Sequence, residues 1–232
     1  MYKLVSHPRF GTTWLAQYIR KYNLDHGLQD PFKFSPSLEF LNERFYTVCK
    51  MNDYDVPDLT WDEKVALLEM KREIGIECCY KVHAYNIKDK VWFNEFYKDW
   101  TVIKLDRKDL WRAFLSYQVM SSINWDPFAC HNEERILAQI KPFTINLKKI
   151  DWWFGDYIQQ EEINGIKLYY EDLTDDMLIG MFGQKWERHT NKIHMDYEPY
   201  VENLDQIKTE FRNKYSNTYR SLLRSRQDLP EG

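Results

Sequence analysis

Tyr2-Lys3-Leu4-Val5-Ser6-His7-Pro8-Arg9-Phe10-Gly11-Thr12-Thr13-Trp14-Leu15 carries a strand, a loop and the start of a helix in succession. Tyr2 to Val5 reads as a short apolar strand, Ser6 to Gly11 as a loop, and Thr12 to Tyr22 as a helix. A helix start directly after a strand and a glycine is an anion site by construction. Its first N–H groups have no partners within the helix, and the helix dipole favours negative charge there. Gly11 lacks the Cβ that would hold a phosphate away from the backbone. Thr12 and Thr13 add hydroxyl donors, and Arg9 adds a fixed positive charge with a planar fork of donors. Trp14, Leu15, Tyr18 and Ile19 recur at helical spacing, so one side of the helix can pack on a sheet. The ATP-type loop G-x-x-x-x-G-K-[ST] is not present, because no lysine follows Gly11.

Outward from this unit, strands alternate with helices. Thr60-Trp61-Asp62-Glu63 reads as a capping box that opens a helix to about Ile74, stopped by Gly75. Ile76 to His83 is expected as a strand, Asp89 to Asp99 as a helix, Trp100 to Leu105 as a strand and Asp109 to Ser121 as a helix. A short helix is expected around Ser37 to Tyr46. Asn132 to Gln160 is expected to be helical with a break at Pro142. Asn164-Gly165 turns the chain into a strand over Ile166 to Tyr170. Leu204 to Leu223 is charged and amphipathic, and the tail from Arg224 is expected to fray. This alternation predicts an α/β fold, a central parallel sheet with helices on both faces. In such sheets ligands bind at the carboxyl ends of the strands.

Three more strand ends carry chemistry. Lys81 and His83, two apart in a strand, point to one face. The imidazole suits a general base, and Lys81 can place positive charge on a leaving oxygen. Arg107 lies just past the end of the next strand, and Ser116 lies on the helix that follows. An arginine and a serine converging on one point suit a phosphate monoester. Tyr170-Glu171-Asp172-Leu173 closes the last strand.

These elements together resemble the PAPS-dependent sulfotransferases. The nucleotide loop of that family has the form P-[KR]-S-G-T-T-W, and Pro8-Arg9-Phe10-Gly11-Thr12-Thr13-Trp14 matches it everywhere except at Phe10, which replaces a small serine. Lys81-Val82-His83 resembles the K-x-H element that holds the catalytic histidine. Arg107 and Ser116 resemble the pair that holds the 3′-phosphate, with Ser116 one residue beyond the commonest spacing. Tyr170-Glu171-Asp172-Leu173 resembles the family's Y-E-D-L element, which is mainly structural there, with Tyr170 a candidate wall of the nucleotide site. The resemblance covers residues 1 to about 175 and is weak over 176–232. It implies one sulfotransferase domain over 1–232, related in architecture to the P-loop kinases. It also implies PAPS (3′-phosphoadenylyl sulfate) as cofactor, 3′,5′-ADP as product, and no metal. Arg9, Phe10, Gly11, Thr12, Thr13, Trp14, Arg107 and Ser116 would then bind the cofactor, and His83, Lys81 and Arg9 would act in catalysis. Glu39 and Glu43 are rival bases, because some bacterial relatives use a glutamate after the first helix. The family's basic R-K-G loop near the end is not found, and Arg188 and Lys192 are its weak stand-ins.

Composition narrows the partners. A formal net charge of −4 argues against a general nucleic-acid binder, so any anion site must be local. Nine Trp and sixteen Tyr favour a groove lined by aromatics, with the segments Pro31 to Tyr54 and Trp125 to Trp153 the candidate lining. Cys49, Cys78, Cys79 and Cys130 show no metal spacing and read as free thiols in a reducing compartment. No apolar run is long enough to span a membrane, and the first residues already read as a strand rather than a signal peptide. The expectation is a cytoplasmic enzyme acting on a hydroxyl or amine of a small molecule, glycan or lipid. Two alternatives remain at this point: a nucleotide-dependent phosphotransferase of the same architecture, and a non-catalytic domain that binds a nucleotide or a partner.

Overall fold

The computed structural model describes residues 1–29, 41, 57–76, 80–124, 132–183 and 195–227. Its sheet has four parallel strands: β1 (Tyr2–Ser6), β2 (Lys81–His83), β3 (Thr101–Asp106) and β4 (Ile166–Tyr169), in the order β2-β1-β3-β4. Register fixes the site. Ser6 lies opposite both His83 and Leu105, Leu4 opposite Lys81 and Ile103, and Asp106 opposite Tyr169. The chain divides into two compact units, one of Met1–Lys108 with Gln159–His189 and one of Asp109–Ile158 with Thr190–Gly232.

The first unit holds the sheet, and its central strand β1 is covered on both faces. Leu4, Ile103 and Leu105 pack with Trp14, Leu15, Ala16, Tyr18 and Ile19 of helix α1 (Thr12–Asp25) and with Leu178 and Phe182 of helix α7 (Asp175–Phe182). The alternate residues Val5, Val82 and Val102 pack with Leu68 of α2 (Trp61–Glu73) and Phe93 of α3 (Lys90–Phe96). Period-two alternation with both faces apolar is what a buried parallel sheet requires. The fold is therefore α/β. Lys3 breaks the apolar pattern yet is fully buried. Its Nζ donates to the Tyr97 hydroxyl at 2.8 Å and lies 4.3 Å from the centre of that ring, which replaces part of its lost hydration.

Local signals in the sequence act as expected at several ends. Thr60 caps α2 by accepting from the Glu63 N–H at 3.3 Å, and the Glu63 carboxylate accepts from the Thr60 N–H at 2.8 Å. Of the strand expected over Ile76 to His83, Lys81–His83 forms β2, and Ile76, just after Gly75 with its left-handed φ of +74°, bridges in parallel to Gln29. Residues 77–79 lie outside the described residues, as do all four cysteines and, apart from Leu41, the helix expected around Ser37 to Tyr46.

The second unit is helical: α4 (Leu110–Ser122), α5 (Glu133–Gln139), α6 (Lys148–Ile158) and α8 (Leu204–Gln227). Pro142 sits in the gap between α5 and α6, where Ile140 is already extended at ψ 133°. Its core is aromatic. Phe211 of α8 meets Phe114 at 5.2 Å, Trp111 at 5.2 Å and Phe154 at 4.9 Å between ring centres. Glu198 accepts from the Trp111 indole N–H at 2.8 Å and from Lys208 at 2.6 Å.

Candidate functional site at the carboxyl ends of the strands

The loop after β1 is built from one buried anchor and two left-handed residues. Phe10 is fully buried, with its ring 5.3 Å from that of His7. Arg9 has φ +67° and Gly11 φ +79°; the first is a conformation that residues with a Cβ rarely adopt. Gly11 is the N-cap of α1, and no side chain caps this helix start. No acidic residue stands in its first turn either. The space that a Cβ on Gly11 would enter is filled by the ring of Tyr170. Gly11 thus serves two purposes, the turn and the close approach of Tyr170. Thr12 is buried at the start of α1, and Thr13 follows it in the first turn. Trp14 points into the core, edge-on to Tyr18 at 5.6 Å and to Tyr170 at 6.4 Å.

His83 ends β2 beside this loop. Its Nδ1 lies 3.1 Å from the Ser6 carbonyl and 3.4 Å from the Ser6 hydroxyl. A carbonyl only accepts, so Nδ1 carries the proton in that bond, and in the neutral ring Nε2 is the acceptor. Tyr85 stacks on the imidazole at 5.6 Å and 19°. Lys81 is buried on the same face of β2, opposite Leu4, whereas Val82 faces the other core.

Arg107 follows β3. Its Nε donates to Glu171 Oε1 at 2.7 Å, its Nη1 donates to the Arg9 carbonyl at 3.3 Å, and its guanidinium carbon lies 4.8 Å from the centre of the Tyr170 ring. Glu171 Oε2 also accepts from the Lys108 backbone N–H at 3.0 Å, and Asp172 accepts from Lys108 Nζ at 2.5 Å. Burial pushes the Glu171 carboxyl up, but the Lys108 N–H and the Arg107 guanidinium outweigh it and hold the group below the usual carboxylate range. Beneath this layer Asp106 is almost fully buried. It accepts from the Arg107 N–H at 2.7 Å and faces Lys167 Nζ at 3.4 Å. Lys167 also pairs with Glu161. Burial works against the Lys167 charge, and these two carboxylates together raise its pKa nonetheless.

Of the residues singled out from sequence, Arg9, Gly11, Thr12, His83 and Arg107 gather at the ends of three adjacent strands, and Tyr170 joins them from the end of the fourth. Ser116 is on α4 in the second unit. Glu39, Glu43, Arg188 and Lys192 lie outside the described residues. Sequence reading missed the partners: Ser6 and Tyr85 around His83, and Glu171 on Arg107. Tyr85 had one usable signal, its place two residues beyond His83. Among the described residues no group of three or more His, Cys, Asp or Glu is placed to hold a metal ion. Among the same residues no helix is long and apolar enough to cross a membrane. No protein-family model matches the chain, and no curated protein sequence matches it.

Proposed function

We propose that this chain is a sulfotransferase with a P-loop-kinase-like architecture, moving a sulfuryl group from PAPS to a hydroxyl or amine of an acceptor. The observation that carries this reading is the meeting, at adjacent strand ends, of an uncapped helix start, an imidazole whose Nδ1 lies 3.1 Å from the Ser6 carbonyl and the Arg107 guanidinium. An uncapped helix start and an arginine fit an anionic nucleotide, which is the chemistry PAPS presents.

In this reading each residue takes one role. The Gly11-Thr12-Thr13 backbone and Arg9 hold the 5′ anionic end, and Arg107 holds the 3′-phosphate and so prefers this nucleotide to an ordinary one. When bound, PAPS supplies an activated sulfuryl group. His83 Nε2 takes the acceptor's proton, because Nδ1 is committed to the Ser6 carbonyl. Lys81 and Arg9 stabilise charge on the departing oxygen. A second reading, a nucleotide-binding domain without catalysis, draws on Phe10 in place of a loop serine and on the Tyr170 ring against Gly11.

The test is calorimetric titration with 3′,5′-ADP and with 5′-ADP, each with and without Mg²⁺. Metal-free preference for the 3′-phosphorylated nucleotide is expected. Preference for 5′-ADP with Mg²⁺ would point to a phosphotransferase, and no binding by either would overturn the nucleotide reading. A mixed acceptor screen with PAPS then separates the enzyme from the binding domain.

A further inference from the structure

Arg107 touches both walls of the glycine loop at once. Through Nη1 it holds the carbonyl of Arg9, a residue in left-handed backbone that needs outside support. Its guanidinium carbon lies over the ring of Tyr170, which packs against Gly11. Glu171 takes Nε and fixes the plane of the guanidinium. Of the five N–H donors of an arginine, Nε and one on Nη1 are engaged in these bonds. The remaining donors, including both on Nη2, have no partner among the described residues.

We propose that Arg107 couples two anion subsites: it is a brace of the glycine loop as well as a ligand of the nucleotide, and Glu171 is the positioning residue that sets it. An anion on the remaining donors of Arg107 fixes the guanidinium, and through the Arg9 carbonyl it fixes the loop that receives the 5′ end of the nucleotide. Linkage makes the effect reciprocal, so each end of the ligand strengthens the hold on the other. This rests on the nucleotide reading above. A simple contact arginine would act only on ligands that carry a 3′-phosphate. A coupling arginine also acts on ligands that lack it.

Two measurements test this on the full chain. The first needs no ligand: amide hydrogen exchange in wild type, Arg107→Lys and Glu171→Gln. Arg107→Lys keeps the charge but loses the fork, so exchange at Phe10 and Gly11 should rise about tenfold while that of the β1 and β3 cores is unchanged. Glu171→Gln should shift the same amides less. Unchanged loop exchange in Arg107→Lys would overturn the brace, whatever the protein binds. The second is the affinity for 5′-ADP, which has no 3′-phosphate. Arg107→Lys should weaken it about five- to tenfold, within the range of ordinary coupling. Unchanged 5′-ADP affinity alongside weaker 3′,5′-ADP binding would overturn the coupling and leave a simple contact. Binding of neither nucleotide by the wild type would overturn the nucleotide reading and the coupling with it, while the exchange result still decides the brace.

Discussion

The ring of Tyr170 occupies the space a side chain on Gly11 would need: a Cβ there would sit 2.2 Å from Cε2 of that ring. Gly11→Ala therefore meets two costs. Left-handed backbone costs a residue with a Cβ about 1–2 kcal/mol. Displacing a packed ring adds about 1–3 kcal/mol. Urea denaturation should show the sum. In a Tyr170→Ala background the cost should fall to the backbone part alone. An equal loss in both backgrounds would mean that the ring does not constrain this position.

Glu171 ties Arg107 and Lys108 to the end of β4, and its pKa is lowered from the usual 4.5. A carboxylate depressed by folding contributes stability that is full above its unfolded pKa and is lost as the pH falls through its folded value. Glu171→Gln should thus be less stable than wild type near pH 7. The gap should narrow below about pH 4.5. The check is denaturant midpoints across pH 3 to pH 7, taken as orders of acidity around the carboxylate range. A gap independent of pH would remove the ion pair as its source.

The tautomer of His83 is a prediction in its own right. In the neutral ring the proton should reside on Nδ1, facing the Ser6 carbonyl. Nitrogen-15 shifts of the two ring nitrogens report this directly. A proton on Nε2 in the neutral ring would take away the base assigned here.

If His83 is the base, His83→Ala should lower sulfuryl transfer about 10²-fold or more, and affinity for 3′,5′-ADP should hardly change. Near-normal turnover would shift the role to another group, with Glu39 and Glu43 the first to try.

Lys167 lies between Asp106 and Glu161 on the sheet face away from α1. Lys167→Met removes the ammonium that lies 3.4 Å from the buried Asp106 carboxylate. Partial exposure of Lys167 reduces the penalty, so a loss of about 1–3 kcal/mol is expected by thermal or urea unfolding. A neutral result would mean that Asp106 is satisfied by its other contacts.

Much of the frame was legible because local chemistry carries it. The capping box at Thr60, the stop at Gly75 and the break at Pro142 depend on neighbours within a few residues. The apolar runs of β1 and β3, alternating with helices, announced a parallel sheet with two covered faces, although Lys3 did not announce its own burial against Tyr97. The bridge of Ile76 to Gln29 had no local signal, because its partner is distant in the chain.

The α/β alternation, the glycine turn into a helix start and the placement of His83 and Arg107 at strand ends were all legible in the chain's own order of residues. Periodicity and capping record whether a residue is buried and how its own backbone turns, and both are short-range. Which residues meet was visible only in the folded chain: Ser6 with His83 through strand register, Tyr170 with Gly11, and Glu171 with Arg107 across 64 residues of chain. Those partners follow from the order β2-β1-β3-β4, which is set by packing of the whole sheet and leaves no mark in the spacing of any one segment.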